Sequence, residues 1–219
     1  MAMGRVQSLC TEVDMRVAVS GTIGAGKSTL CRQLSDAIGF SVFAEPVTEN
    51  PYLDDFYADP ERWAFDAQVF MISHRFRRQM EAAHSAEGQG FLLDRCFHED
   101  RVFAEVNHEL GHISDRDWQT YLHLYESFCQ IAPPPEVVIY LRTSPEVAML
   151  RIKQRGRASE RDISWAYLNR LHDAYDRWSD NMARQAKVMI FQWDDFDTPG
   201  WPGVLSCLKY EINPSTVAP

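Results

Sequence analysis

Residues 21–29, Gly21-Thr22-Ile23-Gly24-Ala25-Gly26-Lys27-Ser28-Thr29, hold three glycines, a lysine and adjacent hydroxyls within nine positions. Gly21, Gly26, Lys27 and Ser28 fit the spacing G-x-x-x-x-G-K-[ST]. Glycine lets successive backbone N–H groups turn inward around an anion with no Cβ in the way. A helix starting here adds the partial positive charge of its N-terminus to the same phosphates. Lys27 is then expected to reach the β- and γ-phosphates of a nucleotide, and the Ser28 hydroxyl to ligate Mg²⁺. The chemistry indicated is phosphate binding.

Further chemical groups close later apolar runs. Glu45 ends FSVFAE ahead of Pro46. At the mouth of a phosphate site it is a candidate general base for an attacking hydroxyl. Asp94 and Arg95 end GFLLDR, an acid suited to the magnesium shell beside a cation suited to transferred charge. In RIKQRGR, Arg151 and Arg155 are one helical turn apart and Arg157 follows a flexible glycine. Three arginines without lysine there suit phosphate oxygens and read as a lid.

These groups need a scaffold that gathers strand ends. Residues 16–20, 40–45, 90–95, 137–142 and 187–193 read as strands buried on both faces. Helical patterns cover 27–38, 60–84, 98–109, 115–131, 145–156 and 163–185, with APPPE at 132–136 stopping a helix before a strand. The alternation predicts an α/β fold with a five-stranded parallel sheet flanked by helices. Ligands bind such sheets at the C-terminal strand edges, where Glu45, Asp94 and Arg95 fall. A guanine-reading N-K-x-D is absent, and DTPG at 197–200 reads as a turn before a short terminal helix.

Composition sets limits on partners. The chain has 219 residues and a formal charge of -9, which argues against a nucleic-acid partner. Five scattered cysteines read as reduced thiols in a cytoplasmic setting. Apolar runs fall short of the about 18 residues needed to span a membrane. Residues 1–14 read as a flexible leader, 15–213 as one domain with a lid at about 151–162, and 214–219 as a flexible tail.

The segments GTIGAGKST, AEPVTENPYLDDFYADPERWAFDAQVF, DRCFHEDRVFA, PPPEVVIYLRTSPEVAMLRIKQRGRASE and YLNRLHDAYDRW resemble the deoxyribonucleoside kinases. Within that family the similarity is to the deoxyadenosine/deoxyguanosine kinase branch, and it covers about 15–197. The resemblance implies a P-loop kinase fold with an arginine-rich lid. It also implies transfer of phosphate from ATP, with Mg²⁺, to the 5′-hydroxyl of a deoxynucleoside. By motif, Glu45 resembles the base, and Arg95 the arginine that steadies Glu45 and the phosphoryl group. Tyr57 and Glu160 match the groups that bind the sugar 3′-hydroxyl, and Gln68 the amide that pairs with the base edge. Asp100 resembles an aspartate paired with the arginine matching Arg75, a pair associated with purine or cytosine nucleosides. Phe196 resembles the aromatic cover of the donor adenine, with Arg155 on its other face.

Asp94-Arg95-Cys96 stands where many relatives have Glu-Arg-Ser. Phe65, Phe70, Phe97 and Phe103 read equally as base-pocket wall or plain core. A thymidylate-type monophosphate kinase is the nearer alternative; Glu45 followed by valine, threonine and an acid is a poor setting for a monophosphate. A non-catalytic nucleotide-binding module is the other. Apolar stripes on 60–84 and 115–131, with the family's dimers formed through matching helices, imply a homodimer.

Overall fold

The computed structural model describes residues 15–44, 49–85, 90–195 and 200–213. Five strands form one parallel sheet: β1 Arg16–Ser20, β2 Ser41–Phe43, β3 Phe91–Asp94, β4 Val137–Arg142 and β5 Lys187–Gln192. Their order across the sheet is β2-β3-β1-β4-β5. Arg16 registers with Phe91 on one side of β1, and Val17 with Val137 on the other. The helices are α1 Lys27–Ile38, α2 Leu53–Ala58, α3 Pro60–Ser85, α4 Asp100–Glu109, α5 Asp115–Ile131, α6 Pro145–Arg155, α7 Trp165–Met182 and α8 Gly200–Ile212.

The period-two alternation of a strand divides the apolar residues between two faces. Ala18, Phe91, Leu93, Val138 and Tyr140 join the larger core, which includes residues of α3, α4, α5 and α7. Val17, Val19, Leu92, Ile139 and Leu141 join the second, with Leu30 and Leu34 of α1 and Val204 and Leu208 of α8. Burying each leucine or valine contributes about 1.5–3 kcal/mol. The sheet is therefore clamped from both sides, and its central strand ends are held rigidly.

Serine side chains start three helices. Ser114, Ser144 and Ser164 accept from the backbone N–H of Asp117, Val147 and Tyr167. Pro145 follows Ser144 at the first turn of α6, where proline costs no hydrogen bond.

The structure departs from the sequence reading at four points. Only β1, β3 and β4 are buried on both faces; β2 and β5 are the sheet edges and are partly exposed. The strand expected at 40–45 spans only Ser41–Phe43. A short helix, α2, precedes the long α3, and α8 runs 13 residues where a short helix is expected. No described helix is long and apolar enough to cross a membrane.

Candidate active site

The phosphate loop, α2, α3, the end of β3 and the end of α6 enclose a cleft of about 440 Å³. The loop fits because its glycines occupy places closed to any side chain. Gly21 has φ +145, and a Cβ there would lie 2.7 Å from the Leu141 carbonyl oxygen of β4. Gly24 has φ +81, and its Cβ would lie 2.6 Å from the Ala148 carbonyl oxygen of α6. The backbone thus wedges between β4 and α6, and α1 begins directly behind it. Ile23, Gly24, Gly26, Lys27, Ser28 and Thr29 line the cleft. Gly21, Thr22 and Ala25 are buried and do not. Lys27 Nζ donates to the Thr22 carbonyl at 2.9 Å, and the Ser28 hydroxyl donates to the Asp94 carboxylate.

Asp94 and Arg95 meet the loop from β3. Arg95 extends the ladder, its N–H donating to the Val19 carbonyl at 3.1 Å. Its φ is then 72, the one positive value at a non-glycine among the described residues. This left-handed turn costs about 1–2 kcal/mol. The guanidinium is held on several sides. Its Nη1 donates to Glu99 Oε1 at 2.9 Å and to the Tyr175 hydroxyl. Its Cζ lies 4.9 Å from the centre of the Phe103 ring and 5.9 Å from that of Tyr175. Glu99 is fully buried. Burial pushes its carboxyl above the usual range, while Arg95 and Lys27 pull it partly back.

On the far side of the cleft, Tyr57 of α2 and Gln68 and Arg75 of α3 line the wall. Gln68 and Arg75 are seven residues apart and share a helix face, as their spacing predicts. Asp100, at the start of α4, is fully buried behind Arg75 and ion-paired to it. Phe56, Ala67, Met71, Phe103 and Tyr167 supply the apolar wall. Of the four phenylalanines open to either reading, Phe103 faces the cleft; Phe65, Phe70 and Phe97 do not line it.

The arginine cluster closes the third side. Arg151, Arg155, Arg157 and Glu160 all line the cleft. Arg151 Nη2 donates to the Asp194 carbonyl at 3.1 Å. Arg155 and Arg157 both donate to the buried Glu160 carboxylate, at 2.5 and 3.3 Å. Gly156, left-handed at φ 66, ends α6 between them. Glu45 and Phe196 lie outside the described residues.

Neither Glu99 nor Tyr175 is singled out by the sequence. Glu99 carries a local signal, standing four residues after Arg95. Tyr175 is 80 residues from Arg95, and only the packing of α7 on the sheet brings it there.

The donor set beside the loop fits a magnesium ion. The Ser28 hydroxyl and the Asp94 carboxylate are hard oxygen ligands, and Asp94 is buried at the cleft floor. Among the described residues no group of three or more His, Cys, Asp or Glu forms a self-contained metal site. Magnesium suits such sparse ligation, because it keeps water and substrate phosphates as its remaining ligands.

Comparison with known proteins bears on the family and the fold. A profile of the family described as deoxynucleoside kinase matches residues 17–200. The deoxyadenosine kinase of Dictyostelium discoideum is 34% identical, over 97% of this chain and 89% of that protein. The deoxyadenosine/deoxycytidine kinase of Bacillus subtilis is 36% identical, over 83% of each. Among solved structures, deoxyadenosine kinase from M. mycoides with products dCMP and a flexible dCDP bound superposes with a TM-score of 0.81. It is 31% identical, over 89% of this chain and 99% of that one.

Proposed function

This chain belongs to the deoxynucleoside kinase family, and from that premise we propose that its cleft takes deoxyadenosine as preferred acceptor, with deoxycytidine second and thymidine poor. The observation that carries this reading is Gln68 beside the buried Arg75–Asp100 pair, in the same cleft as the phosphate loop. Adenine and cytosine each offer an amino donor next to a ring-nitrogen acceptor, a pattern that one carboxamide satisfies with both its ends. Thymine presents a carbonyl and a methyl group there instead, which suit a buried ion pair badly. The names of the relatives above point the same way, and they count against the thymidylate-type alternative.

In this reading the nine-residue loop, Gly21 to Thr29, holds the phosphates of ATP, with Lys27 on the β- and γ-phosphates. Arg151, Arg155 and Arg157 close over them as a lid at about 151–162, and Phe196 covers the donor adenine. Ser28 and Asp94 would hold Mg²⁺, which when bound supplies charge neutralisation at the transferred group. Tyr57 and Glu160 take the sugar 3′-hydroxyl. Glu45 removes the proton of the 5′-hydroxyl, and Arg95 steadies the phosphoryl group. Water exclusion by the lid limits hydrolysis of ATP without acceptor.

The subunit is also proposed to pair with a second copy of itself. Met71, Trp118 and Tyr121 of the two apolar stripes are absorbed in the core. Trp63, Phe65 and Phe70 of α3 and Leu122, Tyr125 and Phe128 of α5 stay half-buried. A two-fold bundle of these helices would cover them, and sedimentation equilibrium distinguishes one subunit mass from two.

The test of substrate is a coupled assay of ATP consumption over the four deoxynucleosides and thymidine monophosphate. Deoxyadenosine is expected to give a kcat/KM about 100-fold or more above thymidine, the scale of a mispaired buried hydrogen-bonding site. Thymidine used as well as deoxyadenosine overturns the base assignment. Efficient use of thymidine monophosphate overturns the nucleoside-kinase reading.

A further inference from the structure

We propose that Glu99, with Tyr175, is the positioning device of the transfer step: together they hold the Arg95 guanidinium where the migrating phosphoryl group passes. The inference rests on the reading of Arg95 given above. Glu99 does not line the cleft, so it acts through Arg95 and not on substrate.

Three observations converge. Arg95 leaves β3 through a left-handed backbone turn, a conformation that persists only where its surroundings hold it. Its side chain is long and would otherwise sample many rotamers. One nitrogen, Nη1, is shared between the Glu99 carboxylate and the Tyr175 hydroxyl. These come from two elements separate in the chain, the 3-10 turn Phe97–Glu99 after β3 and the helix α7. Phe103 and the Tyr175 ring then fix its height over the cleft.

Burial sharpens the argument. A carboxylate with no exposed surface is expensive unless paired with a cation and hydrogen-bonded. Arg95 is 5% exposed and Glu99 0%, so the pair is screened little by solvent. A leucine at position 99 would fill the space without that desolvation cost. An acid placed there has its use in the group that it orients, and that group lines the cleft beside Lys27 and Asp94. Misplacement of a charge-stabilising group by about 1 Å costs on the order of 100-fold in rate.

The experiment measures kcat and KM with deoxyadenosine and ATP for Glu99→Gln, Arg95→Met, the double variant and Tyr175→Phe. Single-turnover mixing with labelled ATP reaches the slow variants. Glu99→Gln is expected to lower kcat about 10–100-fold and to leave the deoxyadenosine KM within about twofold. In the Arg95→Met background the same change is expected to alter kcat by less than about twofold, because the two act as one unit. Tyr175→Phe keeps both buried charges, so it carries the test if Glu99→Gln does not fold; a several-fold loss in kcat is expected. Near-normal kcat in Glu99→Gln, or an undiminished loss when Arg95 is already methionine, overturns the proposal while leaving the role of Arg95 intact. Normal turnover in Arg95→Met overturns the role of Arg95 itself, and this inference with it.

Discussion

Asp100→Ala would take the Asp100 carboxylate away from the charged, buried Arg75 guanidinium. Arg75 is 6% exposed and Asp100 0%, so solvent screens the pair little. Breaking one side of such a pair costs about 3–5 kcal/mol. For a chain of this size each kcal/mol moves Tm by about 2–4 °C, so the midpoint should fall by about 6–20 °C. Arg75→Met together with Asp100→Ala removes both charges, and an apolar pair of this kind is often neutral to stability. The double variant should therefore recover most of the loss, an outcome that additive effects cannot produce. Calorimetric unfolding reads the stability, and kcat/KM for deoxyadenosine and thymidine reads the pocket. Thymidine should gain relative to deoxyadenosine in the double variant. The reasoning fails if Asp100→Ala unfolds within about 2 °C of the parent, or if the double variant is no better than the sum of the singles. An unchanged substrate ratio would refute the link from this pair to the base.

Glu45→Gln should lower kcat by about 100-fold or more, the scale of general-base loss, with a smaller change in deoxynucleoside KM; steady-state kinetics with normal turnover would end that assignment. Gly24→Ala would press a Cβ against the Ala148 carbonyl at 2.6 Å in a left-handed backbone. A rise of about tenfold or more in the KM for ATP is expected, and an unaltered KM would refute the wedged-loop account. Burial lowers the His98 pKa to about 4 from an ordinary value of 6.5, with Arg16 adding slightly. Between those values the unfolded chain takes up a proton that the folded chain refuses. Stability should therefore fall by about 3 kcal/mol as pH drops from 6.5 towards 4. Urea titrations of His98→Leu across that range should show a flatter slope; an equally steep one would place the acid sensitivity elsewhere.

The phosphate loop was legible because its chemistry is local: one strand, one turn and one helix within 25 residues. The five strands were legible from their apolar runs, since each must bury regardless of its neighbours. Edge position was not, because the order β2-β3-β1-β4-β5 depends on crossovers, and a β-branched run reads alike in the middle or at the rim. The six-residue α2 has no side-chain cap and is too short to show a period. Arg75 and Asp100 sit 25 residues apart, and only the family resemblance paired them. The Arg95 clamp escaped notice for a related reason. One of its arms comes from α7, and nothing in the composition of a helix says which buried tyrosine will face a guanidinium.

The position of β1 at the centre of the sheet has a consequence for synthesis. Both of its hydrogen-bonding neighbours, β3 and β4, come later in the chain, about 75 and 120 residues after it. At roughly 5–20 residues per second on the ribosome, β1 waits about 6–24 s before β4 exists. Through that interval the apolar segment Val17–Val19 and the glycine-rich turn behind it have emerged, but lack a partner strand on one side or both. Long-range parallel pairing is intrinsically slow, and it leaves strand edges open to other chains. The glycine-rich loop, first of the site's elements to be made, therefore cannot take its wedged shape until both β4 and α6 have followed it.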